Sequence, residues 1–237
     1  MSRLTPAVAW IIGIELGCFL LVLFAGREVR ASLADWLILT PNALARGQVW
    51  KLVTTILLSV GPDGRGGLAF LFDVLMLWMF VPVLENFWGT RRFVIFFVVT
   101  SIFGNLVAAA VGLLIGQPDV AVMGVSGFIY ASIAAFGVAF ANQPVQFFGV
   151  VPIKGRSLAI GITGFLVLFT VLTREWVVGA GYFGAMGLAL AMTSGVWQPN
   201  VWWLKWRRWR LRRRYQVLDG GAPRDRDRGG EKKRYLN

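Results

Sequence analysis

The sequence predicts an all-α integral membrane protein, a bundle of six transmembrane helices with a partly membrane-embedded first loop. Three observations predict it. The 237 residues are 57% hydrophobic and 15% charged, with mean hydropathy +0.64, whereas a soluble domain carries about 25% charge. Charge is also clumped: across residues 93–153 the only Asp, Glu, Lys or Arg is Asp119. A stretch so poor in charge cannot coat a soluble globule, so its solvent must be lipid. Finally, the apolar residues fall into six runs, at 7–26, 68–84, 93–116, 120–141, 157–173 and 176–196. Each is long enough, at 1.5 Å per residue, to cross or nearly cross about 30 Å of hydrocarbon.

The first run follows Arg3, exceeds the length of a signal-peptide core and lacks an A-x-A-like cleavage site. It is expected to be a retained signal anchor. The loop after it, 27–67, is no plain linker. Trp36, Leu37, Ile38 and Leu39, and then the stretch 50–58, are too apolar for water. An interfacial or re-entrant element packed on the bundle is expected. The Gly-Pro-Asp-Gly-Arg-Gly-Gly stretch at 61–67 is turn material that closes it.

Basic residues set the orientation. Arg91 and Arg92 lie between the second and third runs, Lys154 and Arg156 between the fourth and fifth, and a basic tail follows the sixth. With six spans these regions share one side, and the positive-inside bias makes both termini cytoplasmic. The chain is expected to be multi-pass in a cell inner or plasma membrane. Three regions result: a transmembrane domain at 1–197, a basic Trp/Arg-rich interfacial segment at 198–219, and a disordered basic tail at 220–237. In the middle one, Trp202, Trp206 and Trp209 repeat at i, i+4 and i+7 beside Arg210, Arg212, Arg213 and Arg214. Indoles at the headgroup level and arginines toward anionic lipid fit that pattern. The tail is disordered in composition.

Several function classes are disfavoured. The net charge is +12, but residues 199–237 alone hold 13 Lys/Arg against four Asp/Glu, so the excess reflects topology and not nucleic acid. With no histidine, one cysteine (Cys18) and no clustered carboxylates, no metal site is expected. No cofactor is expected either, because the glycines of 61–67 lack the lysine and Ser/Thr pair of a phosphate-binding loop. A transporter is disfavoured by the absence of an internal repeat. Glu15 and Asp73 fall inside spans, where a carboxylate should face the bundle interior, water or a partner.

Gly124-Val125-Ser126-Gly127, with Tyr130 one turn later, is a weak motif alone, since small residues in apolar helices mostly permit close packing. Its surroundings strengthen it. Gly47-Gln48-Val49-Trp50-Lys51-Leu52-Val53-Thr54 and Leu71-Phe72-Asp73-Val74-Leu75-Met76-Leu77-Trp78-Met79-Phe80 precede it, followed by Leu84-Glu85, Trp88-Gly89 and Arg91-Arg92-Phe93. This ordered series, over residues 7–196, resembles the rhomboid family of intramembrane serine proteases. The resemblance implies a six-helix bundle whose fourth helix starts mid-membrane at the serine. It also implies a histidine base on the sixth helix and an H-x-x-x-N motif on the second that helps bind the oxyanion.

Ser126 then matches the nucleophile and Tyr130 the tyrosine that stacks on the histidine. The rest fails. Ala69 and Asp73 replace the oxyanion motif. The lost histidine maps within Ala180 to Tyr182, and the chain contains no histidine to stand there. The lysines lie in loops or in the tail. An ionised Asp73 would repel an oxyanion, and a protonated one could donate a hydrogen bond but could not act as base. Glu85 is expected to tie the loop carrying Arg91 and Arg92. The expected function is that of a pseudoprotease: an adaptor or accessory subunit that binds other transmembrane proteins. The rival is an active serine endopeptidase that uses Ser126 with an unusual base.

Overall fold

The computed structural model describes residues 5–58, 67–122, 124–147 and 151–194. The interfacial segment with Trp202, Trp206, Trp209, Arg210, Arg212, Arg213 and Arg214, and the basic tail, lie outside the described residues. The helices are α1 (Pro6–Phe24), α2 (Arg27–Leu37), α3 (Pro41–Ala45), α4 (Lys51–Thr54), α5 (Gly67–Trp88), α6 (Thr90–Leu114), α7 (Ser126–Ala139), α8 (Gly155–Thr173) and α9 (Trp176–Thr193). Among the described residues, five helical segments are long and apolar enough to cross a membrane: Pro6–Phe24, Phe70–Trp88, Thr90–Leu114, Gly155–Thr173 and Trp176–Thr193. With the shorter α7 they make a six-helix bundle, and the chain is a multi-pass membrane protein.

The bundle is apolar on its outside as well as its inside. Phe24 on α1 and Leu172 on α8 are largely exposed, as is much of the apolar surface of both helices. Such faces are tolerable only against lipid. The centre is α7, which α9, α8 and α5 surround. Its Phe128 is enclosed by edge-on contacts from Phe93, Phe96 and Phe97 of α6. Helices α6 and α9 meet backbone to backbone. A Cβ added at Gly104 would lie 2.9 Å from the Gly181 carbonyl, and one at Gly181 would lie 2.9 Å from the Ala108 Cβ. Only glycine fits at either position, and the helices approach closely because of it.

The fourth span is shorter than the run 120–141 suggests. Helix α7 has 14 residues, about 21 Å, too short to cross the hydrocarbon alone. The reason lies in the first loop. The Val122 amide donates to the Leu39 carbonyl at 2.8 Å, and Thr55 Oγ1 donates to the Val122 carbonyl. Gly124 sits at φ +83°, a conformation that a continuing right-handed helix forbids and glycine tolerates. The Gly124 amide then donates to the Thr55 carbonyl at 3.0 Å. Val122 and Gly124 are thus held off-helix by hydrogen bonds to the first loop, and the helix opens at Ser126.

The first loop itself is structured. Its helices α3 and α4 pack on α6, where Asn105 Nδ2 donates to the Leu52 carbonyl at 2.9 Å. Lys51 opens α4 and is buried, so it does not sit in an open loop. Trp36 and Trp50 pair at 6.3 Å with both rings exposed, an arrangement suited to an interfacial element. Between α7 and α8 the chain adds a feature the sequence does not announce. This is a two-stranded antiparallel hairpin, β1 (Pro144–Phe147) with β2 (Val151–Lys154).

Glu85 ties the loop carrying Arg91 and Arg92 through Thr90 and not through those arginines, which are exposed, and it also reaches the start of α1. Its two carboxylate oxygens accept from the amides of Ala7 at 3.2 Å and Val8 at 3.1 Å, and Thr90 Oγ1 donates to it at 2.8 Å. The first amides of a helix have no partner within it. Thr5, the residue preceding α1, makes no side-chain cap. Glu85 supplies the acceptor from another helix, with the negative charge that a helix N-terminus favours.

Candidate functional site

Four polar side chains from three helices meet beside the opening of α7. Asp73 comes from α5, Ser126 and Tyr130 from α7, and Tyr182 from α9. Ser126 is the first residue of its helix, free of an inward packing role, and its Oγ donates to Asp73 Oδ2 at 2.9 Å. Tyr130, one turn on, faces Tyr182 with ring centroids 4.9 Å apart and planes tilted by 43°. The two rings rest on a small apolar cluster of Ala134, Leu166 and Met186.

Both glycines of the motif have assignable work. Gly124 makes the turn that ends the off-helix stretch. Gly127 faces Tyr182, whose Cδ1 would sit 3.8 Å from a Cβ added there. Ala69 falls on α5 one turn before Asp73.

Of Ala180, Gly181 and Tyr182, it is Tyr182 that meets Tyr130, whereas Gly181 is committed to the contact with α6. Tyr182 is therefore a site residue that the sequence contained only as one of three candidates. The available signal was chemical: among the three it alone carries a polar side chain.

The site is open where the scaffold is sealed. Asp73, Ser126, Gly127, Tyr130 and Tyr182 are all half-buried. By contrast Thr55, Glu85, Thr100 and Ser132, four of the polar residues of the loop and spans, are at most 2% exposed. The serine, the carboxylate and both phenols thus keep some accessible surface.

Chemically, this arrangement holds a hydroxyl but does not activate it by the usual means. A serine nucleophile needs a base to take its proton and donors for the oxyanion that follows. Here the side chain across from Tyr130 is a phenol, and the group that accepts the hydrogen bond of the serine hydroxyl is the Asp73 carboxylate. Among the described residues no group of three His, Cys, Asp or Glu could hold a metal ion.

A family model described as "Eukaryotic integral membrane protein (DUF1751)" matches residues 9–193 of the chain. Among curated proteins, "Putative rhomboid protease YdcA" of Bacillus subtilis (strain 168) is 25% identical over 191 residues, covering 78% of this chain and 86% of the relative.

Proposed function

The chain belongs to the DUF1751 family of integral membrane proteins, a rhomboid-like group, and from that premise we propose that it is a non-catalytic binder of transmembrane segments, acting as an adaptor or accessory subunit of a membrane complex. One observation carries the reading most. Tyr182 occupies the place facing Tyr130 where a base would be required, while Asp73 holds the Ser126 hydroxyl at 2.9 Å. Losing one member of a catalytic triad costs several orders of magnitude in rate. Here both the base and the oxyanion donors are replaced, whereas the half-buried cluster and its apolar surroundings persist. Surfaces that admit a helix survive the loss of cleavage chemistry.

The remaining parts of the reading follow from charge and composition. Both termini face the cytoplasm. The segment with Trp202, Trp206, Trp209 and Arg210, Arg212, Arg213 and Arg214 engages anionic lipid headgroups at that face.

One observation favours a second reading. The Ser126–Asp73 hydrogen bond is the geometry of a nucleophile with a carboxylate base, and an active endopeptidase would have to use it. Co-reconstitution with a panel of transmembrane reporters separates the two. The binder reading expects reporters to associate with the full chain in nanodiscs and remain intact. Cleavage abolished by Ser126→Ala would instead establish the protease, and a partner-free monomer that retains no reporter would contradict the binder.

A further inference from the structure

The half-buried site holds a carboxylate within a span. Asp73 lies three residues inside the span Phe70–Trp88. Its Oδ2 accepts from Ser126 Oγ at 2.9 Å, and its own helix, Gly67–Trp88, carries no Lys or Arg to offset its charge. A carboxylate at such a depth is costly and is ordinarily matched by a partner. Other span residues show how this protein treats polar groups that serve only its own fold. Glu85 is 2% exposed with three donors around it, and Thr100 is sealed against the Phe96 carbonyl. Asp73 is treated differently. It is half-buried, and a carboxylate can accept up to about four hydrogen bonds, so the bond from Ser126 leaves capacity unused.

The neighbourhood suits one kind of occupant. Leu71 and Phe72, which precede Asp73 on α5, are 61% and 54% exposed; they turn about 200° and 100° away from it around the helix and leave this end of α5 apolar toward lipid. Ser126, Tyr130 and Tyr182 add oxygen acceptors in the same cluster. An ammonium brings three donors and a guanidinium five, and neither accepts. A carboxylate ringed by hydroxyl oxygens is complementary to such a group and repels an acidic one.

We propose that the half-buried cluster of Asp73, Ser126, Tyr130 and Tyr182 recognises a partner transmembrane helix through a Lys or Arg set within its span at the depth of Asp73. The inference rests on the binder reading and deepens it by naming the feature that selects the partner. A basic residue in an isolated span is itself costly in lipid, so pairing relieves two unfavourable groups at once. The same logic makes the protein selective for helices that have not found their own acidic partner.

The test uses the full chain in lipid nanodiscs, titrated with fluorescent Leu/Ala host helices. Each helix bears a single Lys, Gln or Leu in its span, with Lys placed at three depths. At one depth the Lys helix is expected to bind about tenfold tighter than the Leu helix, with Gln between them. Asp73→Asn should bring Lys down to the Leu value, and Asp73→Glu should keep the preference. Thermal unfolding confirms that each variant folds; if Asp73→Asn does not, the Lys-to-Leu ratio on the native chain decides. Equal binding of Lys and Leu helices at every depth, or a Lys preference that survives Asp73→Asn, overturns the inference while the binder reading stands. Failure of every helix to bind overturns both.

Discussion

Replacing Glu85 with alanine removes three hydrogen bonds at one stroke. The Ala7 and Val8 amides at 3.2 and 3.1 Å lose their acceptor, and so does the Thr90 hydroxyl at 2.8 Å. Because Glu85 is 2% exposed, water does not replace it freely. Hydrogen bonds to a charged group contribute about 1.5–3 kcal/mol each, and a stranded buried donor costs about 1–3 kcal/mol. Partial solvation at the helix end lowers the sum, so a loss of about 3–5 kcal/mol is expected for Glu85→Ala. Glu85→Gln keeps one acceptor oxygen but turns an amide toward a donor, and it should lose roughly half as much. Equilibrium unfolding in detergent, followed by tryptophan fluorescence, measures the total. Hydrogen exchange at the Ala7 and Val8 amides measures the site. The reasoning is refuted if Glu85→Ala unfolds within about 0.5 kcal/mol of the native chain, or if those two amides exchange no faster.

Two further perturbations test the packing that positions the site. Gly104→Leu places a side chain where even a Cβ meets the Gly181 carbonyl at 2.9 Å. It should destabilise the bundle by about 1–3 kcal/mol or more in a detergent unfolding titration, while Gly13→Ala, with nothing within 4 Å, should be neutral or slightly stabilising. Thr55→Val removes the hydroxyl that accepts from the Leu39 amide at 3.3 Å and donates to the Val122 carbonyl. A cost of about 1–3 kcal/mol is expected, with faster hydrogen exchange at Leu39 and Val122; unchanged exchange at both would show that the clasp does not hold the start of α7.

The legible part of this fold was what lipid dictates locally. A run of apolar residues without charge must become a helix, because no other open segment satisfies its own backbone in hydrocarbon, and five runs gave spans close to those expected. What escaped was set by distant contacts. Nothing in the run 120–141 says that helix begins only at Ser126. The stop is imposed by Leu39 and Thr55, two short pieces of a loop more than sixty residues upstream. Glu85 was legible only in part. Thr90 lies near it in sequence, but its other two partners are amides 77 and 78 residues away.

The hairpin at 144–154 hides because four-residue strands carry no reliable period. At the site, the sequence named Ser126, Tyr130, Asp73 and the two glycines. It could not choose Tyr182 over Ala180 or Gly181, since a one-residue shift on a helix turns a side chain by about 100°, and only the Gly181 contact with α6 fixes that rotation.

The central claim is that the Ser126 hydroxyl is held but not activated. Its most direct test is mass-spectrometric detection of a fluorophosphonate adduct on the full chain in nanodiscs, read at Ser126 after confirming the fold by thermal unfolding. The account predicts no adduct above the level of the Ser126→Ala chain. A stoichiometric adduct at Ser126, lost on Ser126→Ala and on Asp73→Asn, would show that Asp73 serves as the base and would contradict the account.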